Sequence, residues 1–232
     1  QIRDLSEGKG LAYQWAQILR VAASVRISDC YGPIPYSKIT GSAFTVAYDS
    51  MEDLYKSMFT DLDEAIVAFK TAVLGGEDMS SLTEYDLVFG GDFNKWVKFA
   101  NTLKLRMAMR ISNVAPELAR QKAEEAVSDV IGVMTTSADA AYSSFNDGMN
   151  PYYRVAFSWN EIRVSANITS YLGGYDDPRL SAYVNDAQLD GAGRAGVRNG
   201  IYQSDATQAK YATFSRPNIG ETDKLLIMSA SE

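Results

Sequence analysis

Apolar residues recur at helical spacing through the first 130 positions and lose that period afterwards. Over 11–29, Trp15, Ile18, Leu19, Ala22 and Val25 follow the i, i+3, i+4, i+7 pattern of an amphipathic helix, and Gly32, Pro33 and Pro35 end it. Residues 50–73 give the clearest stripe, from Met51, Leu54 and Tyr55 through Ile66 and Phe69. Asp49 is its expected N-cap, with Glu52 in capping-box position, and Gly75-Gly76 stop it. A third helix over 93–112 follows Gly90, Gly91 and Asp92, with Phe93, Trp96, Val97, Ala100, Leu103, Met107 and Ile111 inward. Lys95, Lys98, Lys104, Arg106 and Arg110 read as its solvated face, the last ones opposing the helix dipole. Pro116 and Gly132 bracket a fourth helix over 116–131. Ser158 and Glu161 predict a capping box opening a fifth over 159–172, closed by Gly173-Gly174.

Residues 133–157 and 173–224 are rich in Gly, Asp, Asn, Ser and Tyr, with only short β-prone pieces such as GIYQ and KYATF. The expected fold is mainly α: a tetratricopeptide-like helix-pair region over 1–132, then a loop-rich, minor-β region over 133–232 of the same domain.

Composition narrows the chemistry. The 232 residues are 46% hydrophobic, enough for a core, and no apolar run approaches the roughly 18 residues of a membrane span. The chain carries 22 basic and 29 acidic residues, net −7, which repels phosphate backbones and argues against nucleic acid as a partner. There is no histidine, so Ser-His-Asp, Cys-His and HExxH sites are excluded. A single cysteine forms no internal disulfide and no cysteine-rich zinc site. Ions that take oxygen ligands stay compatible with this composition. The chain has no start methionine, signal peptide or lipid-attachment cysteine near Gln1, and reads as an internal or processed piece.

Three stretches, in this order, resemble one family. "DCYGPIPYSKI" closes the first helix with a D-x-Y-G-x-x-P-Y turn, "GGDFNKWVKFANTLKLRMAMRIS" covers the third helix, and "GGYDDPRLSAY" is a G-x-x-D-P-R-L turn. Together they resemble the SusD/RagB-like outer-membrane proteins of Bacteroidetes, from about residue 11 to the end. The resemblance implies a surface lipoprotein that captures polysaccharide or oligosaccharide. Its implied partner is a SusC-like TonB-dependent transporter. It implies no enzymatic activity, and membrane contact only through an N-terminal lipid anchor that this chain does not contain; no cofactor or metal site is expected, composition arguing against the transition metals. The family's proteins are about twice this length, so the resemblance implies a fragment with two of four helix pairs and part of the binding region.

Among candidate sites, "NDGMNPYYRVAFSWNEIR" (146–163) fits sugar best. Tyr152, Tyr153 and Trp159 offer ring faces for sugar C–H groups, interleaved with Asn146, Asp147, Asn150, Arg154, Asn160 and Arg163 for hydroxyls. Asn150, Tyr152, Tyr153, Trp159 and Arg163 are the expected ligand-binding residues, against the alternative that Trp159 and one tyrosine only cover the core. Trp15 and Trp96 lie on core faces of helices. Cys30 has no base to activate it and reads as a small buried residue; Tyr31 and Tyr36 either pack on the helical core, the favoured reading, or edge a pocket.

Other signals are weaker. Asp186-x-Gln188-x-Asp190-Gly191 mimics the start of an EF-hand loop, but Val197 stands where the bidentate Glu belongs. "GAGRAG" (191–196) follows no strand, which argues against a phosphate cradle. Glu161 and Asp177 read as a helix cap and a turn initiator rather than a glycosidase pair. Two further readings stay open: a helical-repeat protein-interaction adaptor without sugar binding, and a hydrolase with two carboxylates across a cleft.

Overall fold

The computed structural model describes residues 2–39, 44–145, 148–188, 190–202, 204 and 209–230. Its helices are α1 (Ile2–Leu5), α2 (Leu11–Tyr31), α3 (Met51–Gly75), α4 (Ser80–Thr83), α5 (Phe93–Arg110) and α6 (Pro116–Val127), then α7 (Pro151–Tyr153), α8 (Ala166–Gly174) and α9 (Arg179–Tyr183). Two short strands, β1 (Ala141–Ser143) and β2 (Leu225–Met228), pair in one sheet. The fold is mainly α with tetratricopeptide-like helix pairs and minor β structure. The chain forms two compact units, Gln1–Ser143 with Leu226–Glu232, and Ser144–Leu225.

In the first unit α2 packs on α3, α3 on α5 and α5 on α6. The α3 stripe is buried as its spacing predicts, with Leu54, Met58, Leu62, Ala65 and Phe69 fully covered. Each large side chain there stabilises the fold by about 1.5–3 kcal/mol. Trp15 and Trp96 meet edge to face, their ring centroids 5.4 Å apart, and Phe69 stacks on Phe93 at 5.7 Å. On α2 the buried face is Trp15, Ile18, Val21 and Val25; Leu19 is exposed, one position off the stripe.

Several termini differ from the sequence reading. Ser50 caps α3 by accepting from the Asp53 N–H. Asp49 turns away and gathers the D-x-Y-G-x-x-P-Y turn: it accepts from the Tyr36 N–H at 2.8 Å, the Ser37 N–H at 2.7 Å and the Ser37 hydroxyl at 2.7 Å. Tyr36 is buried, donates its hydroxyl to Asp61 at 2.6 Å, and carries the Arg20 guanidinium 3.8 Å above its ring. Burial and the Asp61 hydrogen bond push its phenol well above the ordinary tyrosine range. Tyr31 and Cys30 do not join this packing. Both are exposed, because α2 runs to Tyr31 and its last turn presents them outward.

The basic stretch of α5 is not a solvated face. Lys104 is buried and lies 2.6 Å from Asp63 on α3 and 2.7 Å from Glu125 on α6. Lys98 pairs with Asp139 at 2.8 Å, Arg110 with Asp29 at 2.6 Å, and Lys95 donates to the Ala138 carbonyl. The cations thus join neighbouring elements.

Before α5, the buried Asp86 carboxylate accepts from the backbone N–H groups of Val88, Phe89 and Gly91. Gly91 has φ 94°, and an added Cβ would lie 2.6 Å from the Thr83 side chain, so glycine is required twice over.

In the second unit the β-prone pieces are not strands. Residues 210–214 form a helical turn and bends, 200–202 form turn and loop, and Gln203 lies outside the described residues. The unit is held by backbone pairing among separate segments: Val164 donates to Ser215, Ser215 to Ala195, and Asn185 to Arg216. Gly196 permits the closest approach. A Cβ there would sit 2.5 Å from the Ser165 carbonyl, while the adjacent Val197 bonds Val164 and Ala166. "GAGRAG" is therefore a packed turn, with Arg194 donating to the Val184 carbonyl. In the EF-hand-like segment, Asp186 faces Arg194 at 3.5 Å. Asp177 accepts from the Arg179 backbone and guanidinium, contacts that hold its carboxyl down at about 2.

Candidate functional site

The expected ligand segment begins at Asn150, which is buried. Its side-chain oxygen accepts from the N–H groups of Tyr152 and Tyr153, opening α7 with Pro151 in the first turn. Its amide nitrogen donates to the Asp223 carbonyl and its backbone N–H to Glu221. Asn150 therefore fixes where Tyr152 and Tyr153 start. Asn146 and Asp147 lie outside the described residues.

The expected helix from 159 does not form. A π-helical turn spans Arg154–Ser158, closed by an i to i+5 bond from the Trp159 N–H to the Arg154 carbonyl. Asn160 then adopts left-handed backbone, φ 61°, which Asn tolerates better than most residues. The chain forms no regular element until Ser165 caps α8. The π turn aligns Tyr153 and Phe157 so that their rings stack with centroids 4.6 Å apart. The Arg216 guanidinium covers Phe157 at 5.2 Å.

Trp159 leaves this stack and is 60% exposed; Tyr152 is 45% exposed and Tyr153 half-buried. The rings of Trp159 and Tyr152 are therefore open to a ligand, while Tyr153 supports Phe157.

Asn160 is the joint of the site. Its Oδ1 accepts from Arg163 and from Arg216, each at 2.5 Å. Arg163 spends its remaining donors on backbone carbonyls: Nε and Nη2 on Ala212, Nη1 on Ile162 and Asn160. A guanidinium has five N–H groups, and all five are engaged. Burial, then the neighbouring charge of Arg216, lowers its pKa, yet arginine stays protonated.

Arg163 and Asn160 form part of a cleft of about 730 Å³, with Glu161, Ser165, Arg198 and Tyr211 also on its walls. The structure thus brings Arg163 to a cleft and keeps Asn150 beneath the surface. Arg198, Tyr211 and Arg216 escaped sequence reasoning. They come from segments 35 or more positions beyond Arg163 that carry no periodic signal, and Tyr211 lay in a supposed strand.

No helix among the described residues is long and apolar enough to cross a membrane. The first comparison is a solved SusD-like protein from Bacteroides thetaiotaomicron, 38% identical with TM-score 0.86 over 99% of this chain and 48% of its own. A chitin-binding SusD homologue from Flavobacterium johnsoniae is 36% identical with TM-score 0.87, again over 99% and 48%. A SusD homologue from Bacteroides vulgatus is 33% identical with TM-score 0.85, over 99% and 47%. The chain thus spans about half the length of these relatives. No curated protein sequence matches it. The model of the SusD-like family, described as SusD and RagB outer-membrane lipoproteins, matches residues 1–232. With that match over the whole chain and these relatives beside it, the chain belongs to the SusD-like family.

Proposed function

We propose that this protein is a non-enzymatic, surface glycan-binding component of a nutrient-uptake system. It captures oligosaccharide at the outer membrane and hands it to a SusC-like TonB-dependent transporter. The full-length protein is held there by an N-terminal lipid anchor. The observation that carries the reading is the likeness to a chitin-binding relative over nearly the whole chain. The second unit supports it, since Trp159 and Tyr152 present exposed ring faces and Arg163 lines a polar cleft of the same unit. An adaptor without sugar binding has no use for an exposed aromatic platform, so that exposure favours the glycan reading.

Calorimetry or affinity electrophoresis of the full-length protein against a polysaccharide panel tests it, together with co-purification of a TonB-dependent transporter. Binding to at least one glycan and recovery of the transporter are expected. Neither glycan binding nor transporter association would overturn it.

A further inference from the structure

The cations of this chain are unevenly neutralised. In the first unit, Lys70, Lys98, Lys104, Arg110 and Lys122 each lie no farther than 2.8 Å from a carboxylate oxygen. The second unit is different around its cleft, which Arg163 and Arg198 line, while Arg216 and Lys210 adjoin the lining residues Asn160 and Tyr211. Arg163 meets only neutral oxygens. Arg216 meets the Asn160 amide and the Phe157 ring, and its Nε is buried without a partner. Lys210 lies 5.6 Å from the Tyr211 ring. Arg198 is exposed on the cleft wall and, among the described residues, makes no hydrogen bond or ion pair. Among the described residues none of these four has a carboxylate partner, and Glu161 is the one acid on the cleft lining.

This positive excess sits in a chain of net charge −7. Solvent screens charges less inside a concave wall than on an open surface, so the excess attracts anions there. The donors of Arg163 are all engaged, so it contributes field without direct contacts. Arg198 keeps its whole planar fork free, which matches the two oxygens of a carboxylate or sulfate. Tyr211 stands on the same cleft with a ring face for sugar C–H groups.

We propose that this cleft takes an acidic sugar, one bearing a carboxylate or a sulfate ester, with Arg198 gripping the anion. The proposal rests on the glycan-capture reading and names the ligand class for it.

Two probe pairs test it by calorimetry on the full-length protein: trigalacturonate with its methyl ester, and a sulfated carrageenan tetrasaccharide with its desulfated form. The charged member of at least one pair is expected to bind about tenfold tighter at about 50 mM salt, an advantage that shrinks at about 500 mM. Whichever pair shows it identifies carboxylate or sulfate as the anion. Arg198→Gln, an exposed change that spares the fold, is expected to erase that advantage. Three outcomes overturn the proposal and leave glycan capture standing: uncharged members that bind as tightly, an advantage indifferent to Arg198→Gln, or binding confined to neutral chitin, starch or xylan oligosaccharides. No binding to any of these sugars overturns the glycan reading itself, and this proposal with it.

Discussion

The indole N–H of Trp96 donates to the buried carboxylate of Asp86 at 3.0 Å. The same carboxylate holds three backbone N–H groups of the loop before α5, so one side chain sets both the entry of that helix and the rotamer of its central tryptophan. Asp86→Ala leaves four donors without acceptors in a covered position. It is expected to destabilise the protein by about 3 kcal/mol in urea unfolding. A loss under about 0.5 kcal/mol would mean the loop is held by other contacts.

Asp49 predicts acid sensitivity of defined sign. The Ser37 hydroxyl, helped by the Ser37 and Tyr36 backbone against the cost of burial, lowers its carboxyl from 3.8 to about 2. A depressed folded-state value stabilises the protein above the unfolded value, and that stabilisation fades as pH falls from about 4 to about 2. Circular dichroism across this range is expected to show a shallower decline in Asp49→Asn than in the wild type. Parallel curves would assign the acid limb to other carboxylates.

Gly196 predicts a local rather than a global effect. In Gly196→Ala the added methyl meets the Ser165 carbonyl at 2.5 Å, and backbone cannot yield as a flexible side chain can. The amides of Ala166 and Val197 are expected to exchange with deuterium about tenfold faster or more, while those of α3 keep their protection. Unchanged exchange at both positions would show that the segments relax without cost.

Trp159 separates binding from stability. At 60% exposure, Trp159→Ala is expected to change unfolding stability by less than about 0.5 kcal/mol. It is expected to weaken binding of the recognised glycan about three- to tenfold by calorimetry. A large stability loss with unchanged affinity would return Trp159 to the structural role of Trp15 and Trp96.

The helical half of the fold was legible where one stripe runs without competition. The buried residues of α3 and α5 fall at the spacing that predicts them because both helices are covered along their length. Legibility failed where the deciding contact lies far along the chain. Nothing near Lys104 announces Asp63 or Glu125, so a buried ion pair passed for a solvated face. It failed again where signals are degenerate. Ser158 and Ser165 are equally good caps on paper, and the left-handed turn at Asn160 hands the role to Ser165. At the site, the aromatic and amide side chains of 150–163 were visible as a cluster, but which were covered was not. Asn150 is spent on capping, whereas Trp159 projects past a π turn that leaves no periodic trace.

The last turn of α2 has a practical consequence. Cys30 is the chain's single cysteine and stands exposed at the end of a long, well-packed helix. A nitroxide coupled to it by maleimide chemistry therefore labels one known point within these 232 residues. The distance from that reporter to a spin-labelled oligosaccharide would restrict the bound sugar to a shell of known radius around the end of α2.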